Sequence, residues 1–122
     1  MKPLLLLITL LSLSQAAEIK KTYYDNDKIE LEETYENGLR HGLCKSYFES
    51  GKLEAEISYS EGKRHGTTKS YYENGQLESS ILYNNGKRNG LVISYFEDGK
   101  IESEVVFKNG APIGAVKHHT YK

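Results

Sequence analysis

The sequence predicts an all-β fold, an elongated single-layer antiparallel β-meander of tandem hairpin repeats. Three observations support this prediction. The chain resembles itself every 24 residues, glycines recur at fixed positions within that period, and polar and apolar residues alternate between the glycines. The frequent glycines and the two-residue hydrophobic period argue against helices. We therefore expect a sheet that grows by one hairpin per repeat.

The 24-residue period runs without insertion or deletion from Tyr23 to His118. The pentapeptide Tyr-Phe-Glu-Ser-Gly at 47–51 returns in related form 24 and 48 residues later. The units that start at Tyr47 and Tyr71 are identical at 12 of 24 positions. With this period the chain divides into a signal peptide (1–16), a cap segment (17–22), four repeats (23–46, 47–70, 71–94 and 95–118) and a tail (119–122).

The first sixteen residues are predicted to be a secretory signal peptide. Lys2 supplies a positive start, residues 4–13 form a short apolar run, and Ser14 and Ala16 are small residues suited to a cleavage site. The run is shorter than the roughly 20 residues of a membrane-spanning helix. We expect cleavage after Ala16 and export to the periplasm, the cell surface or the medium. An uncleaved N-terminal anchor is the alternative.

Each repeat is predicted to contain two strands and two turns. One turn is marked by Gly51 and its equivalents, and Asp27 in this place predicts a weaker or different first turn. The other is framed by glycines four residues apart, such as Gly38 and Gly42, and is predicted to be a longer polar turn. Between the turns, strict alternation places four side chains of the second repeat on one face of the sheet: Leu53, Ala55, Ile57 and Tyr59. The opposite face is predicted to be polar, with Lys52, Glu54, Glu56 and Ser58.

The composition limits the classes of function. Lys and Arg number 16 and Asp and Glu 17, so the net charge of -1 gives no field that attracts nucleic acid. The hydrophobic fraction of 38% is low for a two-layer fold, and the ten tyrosines should supply much of the buried area. The single cysteine, Cys44, excludes an internal disulfide. We interpret it as a small apolar strand residue, with a disulfide between chains as the alternative.

The recurring pattern resembles the MORN repeat in its bacterial variant. The pattern is Tyr-(Phe/Tyr)-Glu-x-Gly-(Lys/Gln)-(Leu/Ile)-Glu, followed by Tyr-x-x-Gly-Lys-Arg-x-Gly, and it covers residues 23 to 122. It is also similar to the YwqK-type antitoxins of toxin–antitoxin systems and to exported 24-residue repeat proteins. The resemblance implies a twisted sheet with a groove that serves as an interaction module, and it extends to arrays linked to membrane lipids.

No catalytic, cofactor-binding or metal-binding set is predicted. His41 and His65 occupy the same repeat position, but strands one repeat apart lie about 10 Å apart, too far to share a metal ion. The serines at 46, 70 and 94 recur without a base of their own, so they are interpreted as structural. The candidate binding surface combines a tyrosine row with a basic stripe along one edge of the sheet: Tyr47, Tyr71, Tyr95, Lys63, Arg64, Lys87 and Arg88.

The predicted function is that of an exported, non-enzymatic protein-interaction or scaffolding module with a protein partner and no cofactor. The resemblance to YwqK-type chains gives a first alternative, an antitoxin-like neutraliser of a toxin partner. A peripheral phospholipid-binding array that uses the basic stripe is a second alternative, and the net negative charge disfavours it. The exposed edge strands of an open sheet could also pair with a second copy of the chain.

Overall fold

The computed structural model describes residues 6–11 and 16–120, with side chains described from residue 17 onward. The described chain is all-β and forms a single antiparallel sheet, which confirms the predicted fold class. Eleven strands follow one another along the described chain: β1 (Leu6–Leu11), β2 (Ala16–Tyr23), β3 (Ile29–Glu36), β4 (Leu39–Arg40), β5 (Gly42–Tyr47), β6 (Leu53–Ser60), β7 (Lys63–Tyr71), β8 (Leu77–Asn84), β9 (Lys87–Tyr95), β10 (Ile101–Lys108) and β11 (Ala111–His118).

The sheet is a meander, because neighbouring strands in the sheet are also neighbours in the sequence. The order is β1-β2-β3-β5-β6-β7-β8-β9-β10-β11, and the two-residue strand β4 pairs with β3 beside β5. Each repeat therefore adds two strands to one layer, and its apolar residues can be covered only by the repeats on either side. That is the arrangement expected of a quasi-one-dimensional repeat array.

The turn that was predicted to be long contains only two residues. Asn37 and Gly38 have φ of 52° and 80°, and the equivalent pairs 61–62, 85–86 and 109–110 also have positive φ. Two consecutive positive φ values are the signature of a type I′ hairpin, for which Asn-Gly is a preferred sequence. The prediction of a longer glycine-bounded turn is therefore wrong. The residues between the paired glycines lie mainly in strands, with His41 between β4 and β5 as an exception.

The second glycine of each pair lies at a β-bulge. In β7, Arg64 pairs with Tyr59 and Thr68 pairs with Ile57, so residues 65–67 face the single residue Ser58. Gly66, within this bulge, has φ of 96°, a conformation that side-chain-bearing residues rarely adopt. The glycine spacing therefore reflects one turn followed by one bulge.

The other hairpin turns have the same geometry in all four repeats. In the second repeat the Phe48 N–H donates to the Lys52 carbonyl, and the Gly51 N–H donates to the Phe48 carbonyl. The first repeat makes the equivalent bonds between Tyr24, Asp27 and Lys28, and Asp27 takes φ of 68°. The first turn is thus not different in geometry, because aspartate tolerates the left-handed region better than most side chains do.

A second bulge in each repeat interrupts the predicted alternation. Tyr47 pairs with Leu53 and Ser46 pairs with Ala55, so Glu54 is an extra residue in β6. Paired residues share a face of the sheet, and the consecutive residues Tyr47 and Ser46 point to opposite faces. Leu53 and Ala55 therefore lie on opposite faces, and the prediction that both share a face with Tyr59 is wrong for Leu53. The same register shift recurs in β2–β3, β7–β8 and β9–β10.

The two sides of the sheet are named here after one residue each, the Cys44 face and the Tyr71 face. Cys44 is 4% exposed and is the only fully buried hydrophobic side chain among residues 17–120, as expected of a sheet with little interior. It pairs with Ile57, and the row continues across the Cys44 face through Thr68, Ile81, Val92 and Val105. Apolar side chains on the Tyr71 face are more exposed, among them Leu43, Leu82, Leu91, Val106 and Ile113.

The two ends of the sheet differ. Strand β1, within the predicted signal peptide, pairs with β2, while Lys2 and Ser14 lie outside the described residues, so the signal peptide stays a prediction. Residues 17–22, interpreted from the sequence as a cap, lie in β2, the counterpart of β5, β7 and β9. At the other end every residue of β11 is exposed. Within the described residues no helix has the length and apolar character needed to cross a membrane.

Candidate functional site

A row of cations and aromatic rings alternates along the Cys44 face, close to the type I′ turns. The Lys20 ammonium lies 4.3 Å from the centre of the Tyr35 ring, and the Arg40 guanidinium lies 5.5 Å from that of Tyr59. The same contact recurs between Arg64 and Tyr83 at 5.3 Å and in the next repeat at 5.4 Å. We call this row the cation–aromatic ladder: Lys20, Tyr35, Arg40, Tyr59, Arg64, Tyr83, Arg88 and Phe107.

The ladder joins successive repeats, because each arginine lies between two aromatic side chains. Arg64 pairs across the hairpin with Tyr59 of its own strand pair and reaches Tyr83 of the next repeat. Its Nη1 also donates to the Tyr83 hydroxyl at 3.0 Å. Burial raises the pKa of Tyr83, but hydrogen bonds from Arg88 and Arg64 outweigh this effect and lower the pKa below its ordinary value.

The last repeat ends the ladder. Phe107 pairs with Pro112, which stands where the earlier hairpins have an arginine. Proline lacks a backbone N–H and is typical of edge strands, where it limits pairing with further chains. The loss of the arginine and the appearance of proline therefore coincide with the exposed strand β11.

The far end of the Cys44 face carries a second aromatic row: Tyr24, Phe48, Tyr72 and Phe96. The tyrosines of this row bond to the next repeat, since the Tyr24 hydroxyl donates to the Tyr47 carbonyl at 2.5 Å and the Tyr72 hydroxyl donates to the Tyr95 carbonyl at 2.7 Å. The phenylalanines cannot make this bond. The aromatic row therefore joins the first repeat to the second and the third to the fourth by a tyrosine hydrogen bond.

The bulge glutamates accompany this aromatic row. The extra residue in each repeat is Glu30, Glu54, Glu78 or Glu102. Because the bulge changes the direction of the strand, Glu54 comes within 3.2 Å of the Ser46 hydroxyl, which lies on the Cys44 face. Strict alternation had assigned these glutamates to the opposite, polar face.

Aromatic rings and glutamates line two clefts. The first has a volume of about 330 Å³ and is lined by Thr22, Tyr24, Glu30, Leu31, Ser46 and Glu54. The second has a volume of about 480 Å³ and is lined by Phe48, Tyr71, Tyr72, Glu73, Asn74, Glu78 and Glu97. Tyr24 and Tyr72 are equivalent positions two repeats apart, as are Glu30 and Glu78, so each cleft has a tyrosine beside a glutamate at the same place in the repeat. The other lining residues differ, and the second cleft extends past the end of the strand to Tyr71.

The electrostatic environment of both clefts is negative. Burial raises the pKa of Tyr24, and Glu30, Glu54, Glu49 and Glu73 raise it further. Burial likewise raises the pKa of Tyr72, with further contributions from glutamates 78, 102 and 97. Nearby negative charge opposes formation of a phenolate, so the same field would favour a cation in the cleft.

The tyrosines of the predicted binding surface lie on the Tyr71 face, at the end remote from the type I′ turns. Tyr47, Tyr71 and Tyr95 are all half-buried. The Tyr71 hydroxyl donates to Glu56 at 3.0 Å, and burial together with Glu56 raises the pKa of Tyr71. Much of each ring therefore packs within the sheet.

The basic residues of the predicted surface are divided between the two faces. Arg64 and Arg88 belong to the ladder on the Cys44 face, whereas Lys63 pairs with Ser60 on the Tyr71 face and is exposed, as is Lys87. The structure therefore does not bring the predicted tyrosines and basic residues together. A five-residue offset between each ladder aromatic and the following arginine was the sequence signal for the ladder, once the two-residue turn is recognised.

The recurring histidines have a definite place in the array. The His41 Nδ1 accepts a hydrogen bond from the Glu61 N–H, and the His65 Nδ1 accepts one from the Asn85 N–H, each at 3.3 Å. The Asn89 side chain accepts the equivalent bond from the Asn109 N–H at 3.0 Å. Residues 41, 65 and 89 thus bond to the turn of the next repeat.

Two of the repeated serines, Ser70 and Ser94, form hydrogen bonds with serines of the neighbouring strand. The Ser70 and Ser79 hydroxyls lie 2.6 Å apart, as do those of Ser94 and Ser103. Cys44 has a free thiol, and burial raises its pKa, which agrees with its interpretation as a small apolar strand residue. The part of the chain that the structure describes contains no group of three His, Cys, Asp or Glu residues placed to hold a metal ion.

Stacked hairpins with repeat-to-repeat hydrogen bonds define a tandem β-repeat protein. The family model described as MORN repeat variant matches residues 19–37, 40–61, 64–85 and 88–109. The chain therefore belongs to the MORN repeat variant family, and the last three matched segments each begin at a ladder arginine. Membership indicates a repeat protein with a binding or scaffolding role. A search of curated proteins gave no match.

Proposed function

We propose that the protein is an exported, non-enzymatic scaffold that presents the Cys44 face of its array to a protein partner. The observation that carries this proposal is a pair of open clefts, in which Tyr24 and Tyr72, equivalent positions two repeats apart, each lie beside glutamates. Aromatic side chains supply rigid contact area that is well suited to protein recognition. Export rests on the predicted signal peptide at residues 1–16.

The lipid-binding alternative receives less support from the arrangement of charges. The ladder arginines lie over aromatic rings, and the neighbouring Lys63 and Lys87 lie on the other side of the sheet. A flat anionic membrane would therefore meet only part of the basic stripe at once. The glutamates beside the aromatic row would further oppose an approach of the Cys44 face.

Affinity capture from the organism's own cells tests the proposal. The full-length chain would carry a C-terminal tag, and mass spectrometry would identify both the start of the bait and its stoichiometric partners. We expect a bait that begins at Ala17 and an envelope or secreted partner. A bait that begins at Met1 and binds a cytoplasmic protein would overturn export, and relief of that protein's toxicity would establish the antitoxin alternative. Capture without a stoichiometric partner would contradict the scaffold proposal.

A further inference from the structure

The two clefts combine the two chemical groups that recognise organic cations. Each places at least one tyrosine ring beside glutamate carboxylates, and carboxylates form strong charge-assisted hydrogen bonds with ammonium and guanidinium groups. Aromatic faces attract the same cations through the ring quadrupole. The chain itself uses this attraction in the cation–aromatic ladder, at the other end of the same face.

The charges at the clefts are not neutralised by the protein's own arginines. Among the described residues no lysine or arginine forms an ion pair with Glu30, Glu54 or Glu78. Two turn lysines bond to backbone carbonyls and not to these carboxylates. The Lys28 ammonium donates to the Ser50 carbonyl at 2.7 Å, and the Lys52 ammonium donates at 3.1 Å to the backbone carbonyl of Glu73, at the rim of the second cleft. In the third repeat Gln76 replaces this lysine.

We propose that the two clefts bind two lysine or arginine side chains of one basic segment in the protein partner. This inference rests on the proposed function and names the chemistry of the partner. The Tyr24 and Tyr72 hydroxyls are already bonded to backbone carbonyls, so their rings are held in place and present a fixed surface to the incoming cation. The open clefts, each of a few hundred Å³, have room for a guanidinium group and its alkyl chain.

The spacing of the clefts predicts the spacing of the basic residues. Equivalent positions two repeats apart are separated by four strands, which is about 19 Å at about 4.8 Å per strand. An extended peptide advances about 3.3 Å per residue, so two side chains about six residues apart would reach both clefts. A segment that runs across the strands, along the row of repeats, satisfies this geometry.

Labelled peptides of ten residues test the proposal by fluorescence anisotropy with the purified full-length chain. One peptide carries arginines at its second and eighth positions, one carries them at the second and fourth, and one has glutamines instead. We expect the first peptide to bind most tightly and the glutamine peptide not to bind. Absence of binding by both arginine peptides, or equal binding of all three, would overturn the proposal.

Two matched variants separate site binding from general charge attraction. The cleft variant changes four of the lining glutamates to glutamine: Glu30, Glu54, Glu78 and Glu97. The control variant removes the same charge from the Tyr71 face: Glu32, Glu36, Glu56 and Glu104. We expect the cleft variant to lose affinity by about tenfold or more and the control to keep it. Equal loss in both variants would contradict a site.

A ring variant and the cellular partner complete the test. Tyr72→Leu removes an aromatic face without changing charge, and we expect it to weaken the same peptide. If a captured partner stays bound to the cleft variant while no basic peptide binds the native chain, this inference fails and the scaffold function stands. If no partner is captured at all, the scaffold function itself fails.

Discussion

The Tyr72 hydroxyl donates a hydrogen bond to the backbone carbonyl of Tyr95, which lies 23 residues further along the chain. Tyr24 makes the same bond to Tyr47, so two of the repeat boundaries are joined by a tyrosine. At the boundary between them Phe48 occupies the equivalent position and leaves the Tyr71 carbonyl without this donor. A comparison of these boundaries therefore measures how much one such hydrogen bond contributes to stability.

The substitution Phe48→Tyr should stabilise the protein by supplying the missing donor to the Tyr71 carbonyl. A net hydrogen bond contributes about 0.5–1.5 kcal/mol to the free energy of unfolding. Phe96→Tyr is the matched control, because the residue 23 positions further on, His119, lies outside the strands, unlike Tyr47, Tyr71 and Tyr95. Urea unfolding followed by circular dichroism would measure both variants. Equal stabilisation by the two changes would show that the added hydroxyl acts in another way.

Replacement of Thr68 by valine should also stabilise the sheet. Within the described residues the Thr68 Oγ1 is buried without a hydrogen-bond partner, in a row otherwise made of apolar side chains and Cys44. Burying an unpaired hydroxyl costs about 1–3 kcal/mol, and valine has nearly the same shape. We expect Thr68→Val to raise the melting temperature. Thr67→Val, on the opposite face, is the control and should have a smaller effect.

Arg64→Ala should destabilise the array, because it removes both the contact with the Tyr83 ring and the hydrogen bond to its hydroxyl. Cation–aromatic contacts at exposed sites contribute about 0.5–1 kcal/mol. The neighbouring Lys63→Ala changes the same charge at an exposed position and should have little effect. Chemical denaturation compares the two variants. A similar loss in both would assign the effect to net charge and not to the ladder.

Alkaline titration should detect ionisation of Tyr83 before that of Tyr24 and Tyr72, because the pKa of Tyr83 is lowered and theirs are raised. Between its lowered folded pKa and its unfolded value, the folded state has released a proton that the unfolded state keeps. The contribution of Tyr83 to the free energy of unfolding therefore increases as the pH rises through the pKa of the folded state. In Tyr83→Phe this increase should disappear.

Tyrosinate absorbance checks the assignment directly. The native chain and Tyr83→Phe would be titrated in parallel, and the substitution should delay the onset of absorbance to higher pH. Tyr72→Phe should leave the onset unchanged, because it removes a tyrosine that ionises late. An onset that moves only with Tyr72→Phe would contradict the environments assigned to these two rings.

The sequence indicated the functional surface only in part. Arg64 and Tyr71 were both recognised as recurring residues, but they lie on opposite faces of the sheet. Glu54 was assigned to a polar face and instead reaches Ser46 on the Cys44 face. Alternation alone accounts for the first separation, because Arg64 and Tyr71 are seven residues apart in β7 and the bulge at 65–67, with two extra residues, leaves the faces unchanged. The position of Glu54 arises from the other bulge, where one extra residue changes the face of the side chains that follow. Asn37-Gly38 carried the clearest missed signal, because Asn-Gly favours a two-residue hairpin turn.

By itself the sequence determined the all-β class, the 24-residue period and the order of strands. These properties are local, because glycine positions and the alternation of polar and apolar residues act within a few residues. Each of the four repeats carries the same local pattern. Only the tertiary structure decided which residues meet. The contact of Arg64 with Tyr83 and the bond from Tyr72 to Tyr95 span a whole repeat, and they depend on the bulges that set the register between strands. The same bulges recur in every repeat, so they leave the 24-residue period intact. The sequence pattern therefore does not reveal which side chains share a face.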